Sequence, residues 1–224
     1  MAYILTNQEK SDVVAVSRIL GYASRWEDIH NPYLILQALT LTSYVNEHRD
    51  TEDNEVLAFY GDRVIEWYVT RKLMDRFAGE GEDTPWLVSD FGEDGYSEIK
   101  SKLVCRENLA RIASYYDLEN YIRTGKGSAK AEKDSTNVLG ELMEALVGAF
   151  AIDSSYGIQD SQNLNSPWPN LPTSIASLCG SSTQCNQNRL PDLMTMDYER
   201  IDKVIGGFLD IEHFLDKEAL EGKA

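Results

Sequence analysis

The chain has 224 residues, a length that predicts one large domain, or one domain with an appendage, around a full-sized core. Its formal net charge of −16 argues against general affinity for nucleic-acid backbones, because such binding normally depends on lysine and arginine displacing counterions. The sequence has no run of about 18 apolar residues to cross a membrane, and its N-terminus lacks the basic-then-apolar order of a signal peptide.

The three cysteines, Cys105, Cys179 and Cys185, predict reduced thiols and a cytoplasmic protein. Any disulfide scheme leaves one of them unpaired, which fits a reducing compartment better than secretion. Cys179 and Cys185 are near each other in sequence, but no histidine is close enough to complete a zinc-binding pattern.

The first half of the chain is predicted to be helical up to an acidic loop. Residues 1–50 contain helices, and residues 54–74 form a long helix whose apolar side chains point in nearly all directions. We expect this helix to be central and buried on most sides. Glycines and acidic residues then predict a turn-rich loop at 79–95, followed by a helix over about 97–116.

A second central helix is predicted over residues 137–152, where apolar side chains again occur all round. Residues 154–192, rich in Ser, Asn, Gln and Pro, predict an irregular polar loop, and residues 196–220 predict a last helix. We therefore expect one domain over residues 1–153, a loop or insertion over 154–192, and a C-terminal helix within 193–224 that completes the same domain. No strand is predicted, so the expected fold is all-α.

Basic residues are concentrated in residues 100–133, which hold eight Lys or Arg against four Asp or Glu, a local balance of +4. Lys126 and Lys130 lie near the end of this segment. The segment is either a strip that contacts phosphates or ordinary solvated helix surface, and the sequence leaves both interpretations open.

Acidic side chains lie on the two helices that are predicted to be buried. Glu55, Asp62 and Glu66 share one face of the first helix, and Glu141 and Glu144 are neighbours on the second. Burying a carboxylate without a partner is costly, so something must neutralise these groups. A carboxylate cluster without His or Cys suits a hard cation such as Mg²⁺. The alternative is that Glu66 or Glu141 reaches an arginine or a helix N-terminus.

Four segments of the chain resemble the ribonuclease III family. Residues 54–62, Asn-Glu-Val-Leu-Ala-Phe-Tyr-Gly-Asp, resemble its nine-residue signature. Residues 38–44 are similar to the family segment before it, without that segment's His and Arg, and residues 102–122 and 139–149 are similar to the later helices. These matches occur in the family's order and imply the helical fold of a ribonuclease III endonuclease domain.

The resemblance assigns roles to acidic residues of this chain. Asp62 and Glu144 match metal ligands of the family. Glu141 stands where the family usually has Asp, and we expect it to be a third ligand, so these three are the expected catalytic residues. Glu55 matches a signature glutamate thought to act at the dimer interface and on RNA, and Glu93 matches an acid of the loop.

One signature position departs from the family pattern. Ala58 stands where the signature usually has a second glutamate, which removes one carboxylate from the acidic face. The chain is similar here to the Mini-III branch of the family, whose nucleases also have Ala before an aromatic residue and Gly-Asp.

The resemblance implies an Mg²⁺-dependent endoribonuclease, with Mn²⁺ as an alternative ion, that cuts double-stranded RNA as a homodimer and leaves 5′-phosphate and 3′-hydroxyl ends. Phe59, Tyr60, Lys126 and Lys130 are expected at the dimer interface or on RNA. No double-stranded-RNA-binding module is recognisable after Asp153, and a separate RNA-binding partner protein can take its place. The rival interpretation is a weakened or inactive scaffold subunit in a ribonucleoprotein or heterodimer.

Overall fold

Helices make up most of the regular structure in the computed structural model, which describes residues 3–127, 133–159, 196–211 and 214. In chain order the α-helices are α1 (Asn7–Ile19), α2 (Pro32–Ala38), α3 (Thr42–Val45), α4 (Glu55–Phe77), α5 (Glu93–Val104), α6 (Arg106–Tyr115), α7 (Thr136–Gln159) and α8 (Tyr198–Leu209). Short 3₁₀ helices at Trp26–Asp28 and Leu118–Tyr121 and two strands, β1 (Ala78–Gly81) and β2 (Thr84–Ser89), lie between them. The prediction of an all-α fold is therefore confirmed, apart from one small hairpin. No helix in the described ranges is long and apolar enough to span a membrane.

The helix α7 lies at the centre of the core. It packs mainly against α4 and α6, and it also contacts α2 and α8. Leu142, Met143 and Leu146 are fully buried, as are the small and apolar residues of the next two turns. The predicted all-round burial of this helix is confirmed.

The backbones of α4 and α7 touch at two glycines. A Cβ atom on Gly61 would lie 1.8 Å from the carbonyl oxygen of Glu144, and one on Gly148 would lie 2.2 Å from the carbonyl oxygen of Leu57. Only glycine allows an approach this close. The contact places Gly61, the residue before Asp62, directly against the backbone of Glu144.

One face of α4 is exposed, so the prediction that this helix is buried on most sides was wrong. Val56, Phe59 and Trp67 are 73%, 74% and 41% exposed, and at about 100° per residue they share one side of the helix. Tyr198 contacts the edge of this stripe, with its ring 5.7 Å from that of Trp67. The sequence alone did not separate apolar side chains of the core from apolar side chains displayed at the surface.

A β-hairpin replaces most of the loop predicted at residues 79–95. The antiparallel pairs are Ala78 with Ser89, Gly79 with Val88, Glu80 with Leu87 and Gly81 with Thr84, with an irregularity between Glu80 and Gly81. Trp86 and Val88 are good strand formers, but they and the intervening Leu87 are all exposed. Strand residues that are exposed on both faces show no alternation of apolar and polar side chains, which is why the hairpin was missed.

The single helix predicted over residues 97–116 is two helices. The break is at Cys105, whose backbone is extended with φ −63° and ψ 149°. The side-chain amide of Asn108 donates to the carbonyl oxygen of Leu103 at 2.7 Å and so satisfies a group at the end of α5. α5 also begins earlier than predicted, at Glu93. Cys105 is a free thiol, and Cys179 and Cys185 lie outside the described residues.

The helix α7 continues to Gln159, past the start of the polar loop predicted at residue 154. Ser154 and Ser155 are buried and donate to the carbonyl oxygens of Ala151 and Ile152 at 2.8 and 2.6 Å. These local hydrogen bonds satisfy the hydroxyls within the helix, so a polar composition did not end it. The remainder of the predicted loop, from residue 160, lies outside the described residues.

The C-terminal helix is present as α8, which packs on α7 and α4. Its apolar side is buried through Ile201, Val204 and Ile205. The side chain of Asp197 accepts a hydrogen bond from the backbone of Arg200 at 3.1 Å and caps its first turn. The predicted extension of this helix to residue 220 lies largely outside the described residues, and the predicted domain boundaries stay predictions.

Asp153 is a buried carboxylate that joins α7 to the segment before α2. It accepts a hydrogen bond from the hydroxyl of Tyr22 at 2.5 Å and others from the backbone N–H groups of His30 and Asn31. The Nδ1 atom of His30 lies 3.6 Å from the same carboxylate. Several donors therefore compensate for the burial of its charge.

Candidate active site

Carboxylates from α4 and α7 line one open cleft of about 620 Å³. The residues around this cleft, which we call the carboxylate cleft, come from three helices: Glu55, Ala58, Phe59, Asp62, Arg106, Glu141 and Glu144. Spacings of three and four residues place the α4 members on one side of their helix, and a spacing of three does the same on α7. The glycine contact between the helices then brings the two sets together.

Glu144 has an unusual environment for a carboxyl group. Its side chain is only 12% exposed. Its pKa is raised to about 7, mainly by burial and also by the negative charges of Asp62 and Glu141, while Arg106 and Arg63 partly oppose the shift. The nearest guanidinium nitrogen of Arg106 is 4.0 Å from Oε2 of Glu144, which is a long ion pair. Near neutral pH this carboxyl is therefore partly protonated in the absence of a bound cation.

Glu141 is affected in the same direction. Burial raises its pKa, Arg106 lowers it, and the charges of Glu55 and Asp53 raise it. Asp53 and Glu55 lie just before and at the start of α4, where the Thr42 hydroxyl is 3.0 and 3.3 Å from their carboxylates. The cleft thus concentrates negative charge that its own residues only partly neutralise.

Glu66, the third acid on the predicted α4 face, is held by basic partners. Its carboxylate is 2.5 Å from Arg63 and 3.3 Å from Lys100. The same Arg63 contacts Asp62 at 2.8 Å. The alternative left open by the sequence, that Glu66 reaches an arginine, is the one observed, and Glu66 is not among the residues that line the cleft.

The other predicted residues are divided between the cleft and its surroundings. Phe59 lines the cleft and is exposed, while Tyr60 is half-buried, and burial raises its pKa. Glu93 is exposed at the start of α5 and does not line the cleft. Lys126 is also exposed, and its backbone N–H donates to Glu47 at 2.9 Å. Lys130 lies outside the described residues.

The donor chemistry of the cleft fits a hard divalent cation. Asp62, Glu141 and Glu144 offer only oxygen ligands, which Mg²⁺ and Mn²⁺ accept, and burial together with the charges of Asp62 and Glu141 raises the pKa of Glu144 although Arg106 opposes the shift. As the side chains are placed, no group of three or more His, Cys, Asp or Glu among the described residues is close enough together to hold a metal ion. Ala58 lines the same cleft and offers no ligand, because its side chain is a methyl group.

Arg106 is the member of the cleft that the sequence did not indicate. It lies at the first position of α6, and its approach to α7 depends on the packing of these helices at Gly140. The only sequence signal was its membership of the basic segment 100–133. That signal does not distinguish it from the other basic residues there.

The fold and the cleft define a helical domain whose two central helices carry a carboxylate site. Residues 31–162, more than half of the chain, match the family model described as Ribonuclease-III-like. The chain belongs to the ribonuclease III family.

Relatives of known name agree with this assignment. A ribonuclease 3 from Roseburia hominis is 31% identical over 172 residues, which cover 70% of this chain and 46% of the relative. A ribonuclease 3 from Treponema succinifaciens is 35% identical over 130 residues, covering 58% of this chain and 35% of the relative. The chain thus spans less than half the length of these two proteins.

Solved structures support the fold. The nuclease domain of ribonuclease III from Campylobacter jejuni aligns with a TM-score of 0.51 at 22% identity, covering 64% of this chain and 87% of that chain. A second structure of that domain aligns with a TM-score of 0.50 at 20% identity, covering 72% and 100% of the two chains. At these identities the likeness concerns the fold alone.

Proposed function

We propose that this chain is an Mg²⁺-dependent endoribonuclease that hydrolyses double-stranded RNA as a homodimer and leaves 5′-phosphate and 3′-hydroxyl ends. The observation that carries the proposal is the carboxylate cleft, in which Asp62, Glu141 and Glu144 come together in a family whose named relatives are ribonucleases. The odd number of cysteines supports a reducing compartment, the cytoplasm, as the place of action.

The surroundings of each residue in the cleft indicate its role in the proposed reaction. Asp62 is oriented by Arg63, and it would hold a cation together with Glu144 and Glu141. A bound Mg²⁺ would supply an activated water and offset the charge that develops on the phosphate. Glu144 must release its carboxyl proton before its oxygens can act as ligands, because it is partly protonated near neutral pH.

The homodimer is supported by the exposed apolar stripe on α4, formed by Val56, Phe59 and Trp67. Exposed large apolar side chains on one helix face are typical of a protein interface, although the charged Arg63 lies between Phe59 and Trp67 on this face. The Campylobacter jejuni nuclease domain, which shares the fold, has a region involved in dimer formation. A dimer through this stripe would have a carboxylate cleft next to the interface in each subunit, because Phe59 belongs to both the stripe and the cleft.

The test is cleavage of long double-stranded RNA by the purified protein in Mg²⁺ or Mn²⁺ at low salt. We expect cleavage that stops when the cations are chelated and that falls about a hundredfold or more in Asp62→Asn. Asp12→Asn is the matched control, because Asp12 lies on α1, outside the cleft, and accepts a hydrogen bond from the side-chain amide of Gln8. Absence of cleavage by the unmutated chain in both ions would reject the proposal.

Ala58 favours a second candidate, a non-catalytic scaffold subunit. It lines the cleft and provides no ligand, and the remaining carboxylates do not form a cation-binding group as placed. A scaffold would neither cleave RNA nor show a melting temperature raised by Mg²⁺, Mn²⁺ or Ca²⁺. Cleavage by the unmutated chain that Asp62→Asn abolishes would exclude it.

A further inference from the structure

Arg106 is the one basic residue that lines the carboxylate cleft among the described residues. It shares the cleft with the acidic side chains of Glu55, Asp62, Glu141 and Glu144. Its side chain is 47% exposed, so its guanidinium is open to solvent and to a ligand. A basic group in this position is unexpected for a site whose only task is to collect a cation, because it repels that cation.

The position of Arg106 is fixed by close packing against α7. A Cβ atom on Gly140 would lie 2.4 Å from Cγ of Arg106 and 2.9 Å from its carbonyl oxygen. The aliphatic part of the side chain therefore rests on α7 directly before Glu141. This contact holds the start of the side chain at the edge of the cleft while its charged end remains exposed.

The hydrogen-bonding groups of Arg106 are largely unused within the described part of the chain. Its guanidinium lies 4.0 Å from the Glu144 carboxylate, which is too long for a hydrogen bond. Arg63, by comparison, is engaged by Asp62 at 2.8 Å and Glu66 at 2.5 Å. A guanidinium has five N–H donors in a planar fork that matches two oxygens of a phosphate.

We propose that Arg106 binds the phosphodiester of an RNA strand that enters the carboxylate cleft. The inference rests on the proposed function and adds a phosphate-binding residue to it. Without such a group, an incoming phosphate would meet mainly carboxylates. Arg106 offers two parallel donors beside Glu141 and Glu144, so it orients the phosphate at the site where these residues act.

The experiment separates direct phosphate binding from mere neutralisation of Glu144. A labelled short RNA duplex is titrated with Glu144→Gln and with Glu144→Gln/Arg106→Ala in Mg²⁺ buffer, and binding is followed by fluorescence anisotropy. In this background Arg106 has no charged partner at position 144. We expect Arg106→Ala to weaken binding about tenfold and to reduce the slope of log affinity against log salt by about one. Arg106→Lys should recover part of the loss, because it keeps the charge without the fork.

The matched control is Arg111→Ala in the same background. Arg111 is exposed on the same helix and does not line the cleft. Its guanidinium donates a hydrogen bond to the side-chain oxygen of Asn108 at 2.7 Å. Equal losses of RNA affinity in the Arg106→Ala and Arg111→Ala variants would overturn the proposal. The loss would then come from the lower positive charge of the helix and not from a contact in the cleft. Unchanged binding on Arg106→Ala, or absence of any binding by Glu144→Gln at low salt, would also overturn it. Melting curves of all variants show whether the fold is retained.

Cleavage by the unmutated chain is measured separately and distinguishes the two proposals. Binding that depends on Arg106 without any cleavage would reject the endonuclease and keep the phosphate site. Cleavage together with binding that is independent of Arg106 would keep the endonuclease and reject the phosphate site.

Discussion

Glu144 is largely buried beside two other carboxylates, Asp62 and Glu141, and two arginines, Arg106 and Arg63, only partly offset their effect on its pKa. Those surroundings disfavour its charged form in the folded protein, whereas the unfolded chain leaves it solvated. The site therefore stores an electrostatic cost that a bound cation would relieve. Sites with this property are typical of function rather than of stability.

We expect the contribution of Glu144 to the stability of the cation-free protein to fall as the pH rises from about 4.5 to about 7. Over this window the folded protein keeps the proton of Glu144, whose pKa is raised to about 7, while the unfolded chain has lost it. Urea unfolding in a chelating buffer should therefore show Glu144→Gln to be more stable than the unmutated chain by about 2 kcal/mol near pH 8, and equal to it near pH 4. A difference that does not change with pH would contradict this account.

Asp153 shows the opposite situation, a buried carboxylate whose donors are in place. Asp153→Asn puts an amide where Tyr22 and two backbone N–H groups need acceptors, and we expect it to lower the free energy of unfolding by about 3 kcal/mol. Asp197→Asn is the control, because Asn replaces Asp well at a helix N-cap. The comparison is made by thermal or urea unfolding. Equal small effects would show that the Asp153 carboxylate is not required.

The sequence predicted the acidic members of the cleft better than its basic one. Asp62, Glu141 and Glu144 lie on two helices, and helical spacing together with the family resemblance was enough to group them. Arg106 comes from a third helix, and its proximity depends on how α6 packs on α7 at Gly140. Such a contact between distant segments leaves no periodic signal in the sequence.

At the level of elements, the pair α4 and α7 positions the site through its two glycines. Gly148→Ala would place a Cβ atom 2.2 Å from the carbonyl oxygen of Leu57. The helices would have to separate, and we expect a loss of about 3 kcal/mol of stability together with loss of cleavage.

Gly207→Ala is the matched control for this change. Gly207 lies within α8, and nothing is within 4 Å of the Cβ atom that it would gain. Alanine favours the helix at such a position by about 0.5 to 1 kcal/mol, so this variant should be slightly more stable. Urea unfolding of both variants makes the comparison. A Gly148→Ala protein as stable as the unmutated chain would show that the helix contact is not tight.

The elements that the sequence missed share a physical cause. The hairpin β1–β2 is exposed on both faces, and the break at Cys105 depends on local backbone geometry and on the Asn108 side chain. Neither produces a hydrophobic period, which was the main basis for the predicted elements. The two central helices were predicted correctly because apolar residues recur along the whole length of each one.

At the scale of the whole molecule, the exposed stripe on α4 predicts a dimer. Phe59→Glu would place a charge within that stripe, and we expect it to convert a dimer into a monomer in light-scattering measurements of mass. Trp86→Glu is the matched control, because Trp86 on the hairpin is 74% exposed, like Phe59. A dimer that persists in Phe59→Glu and dissociates in Trp86→Glu would move the interface to the hairpin.

The proposed function requires the carboxylate cleft to cut RNA although Ala58 provides no ligand. The most direct test is the single-turnover rate of double-stranded RNA cleavage in Mg²⁺ by the unmutated chain and by Glu144→Gln, with the chemical ends of the products identified. We predict cleavage to 5′-phosphate and 3′-hydroxyl ends by the unmutated chain and a rate lower by about a hundredfold or more in Glu144→Gln. Equal rates for the two proteins, or no cleavage by either, would contradict the claim.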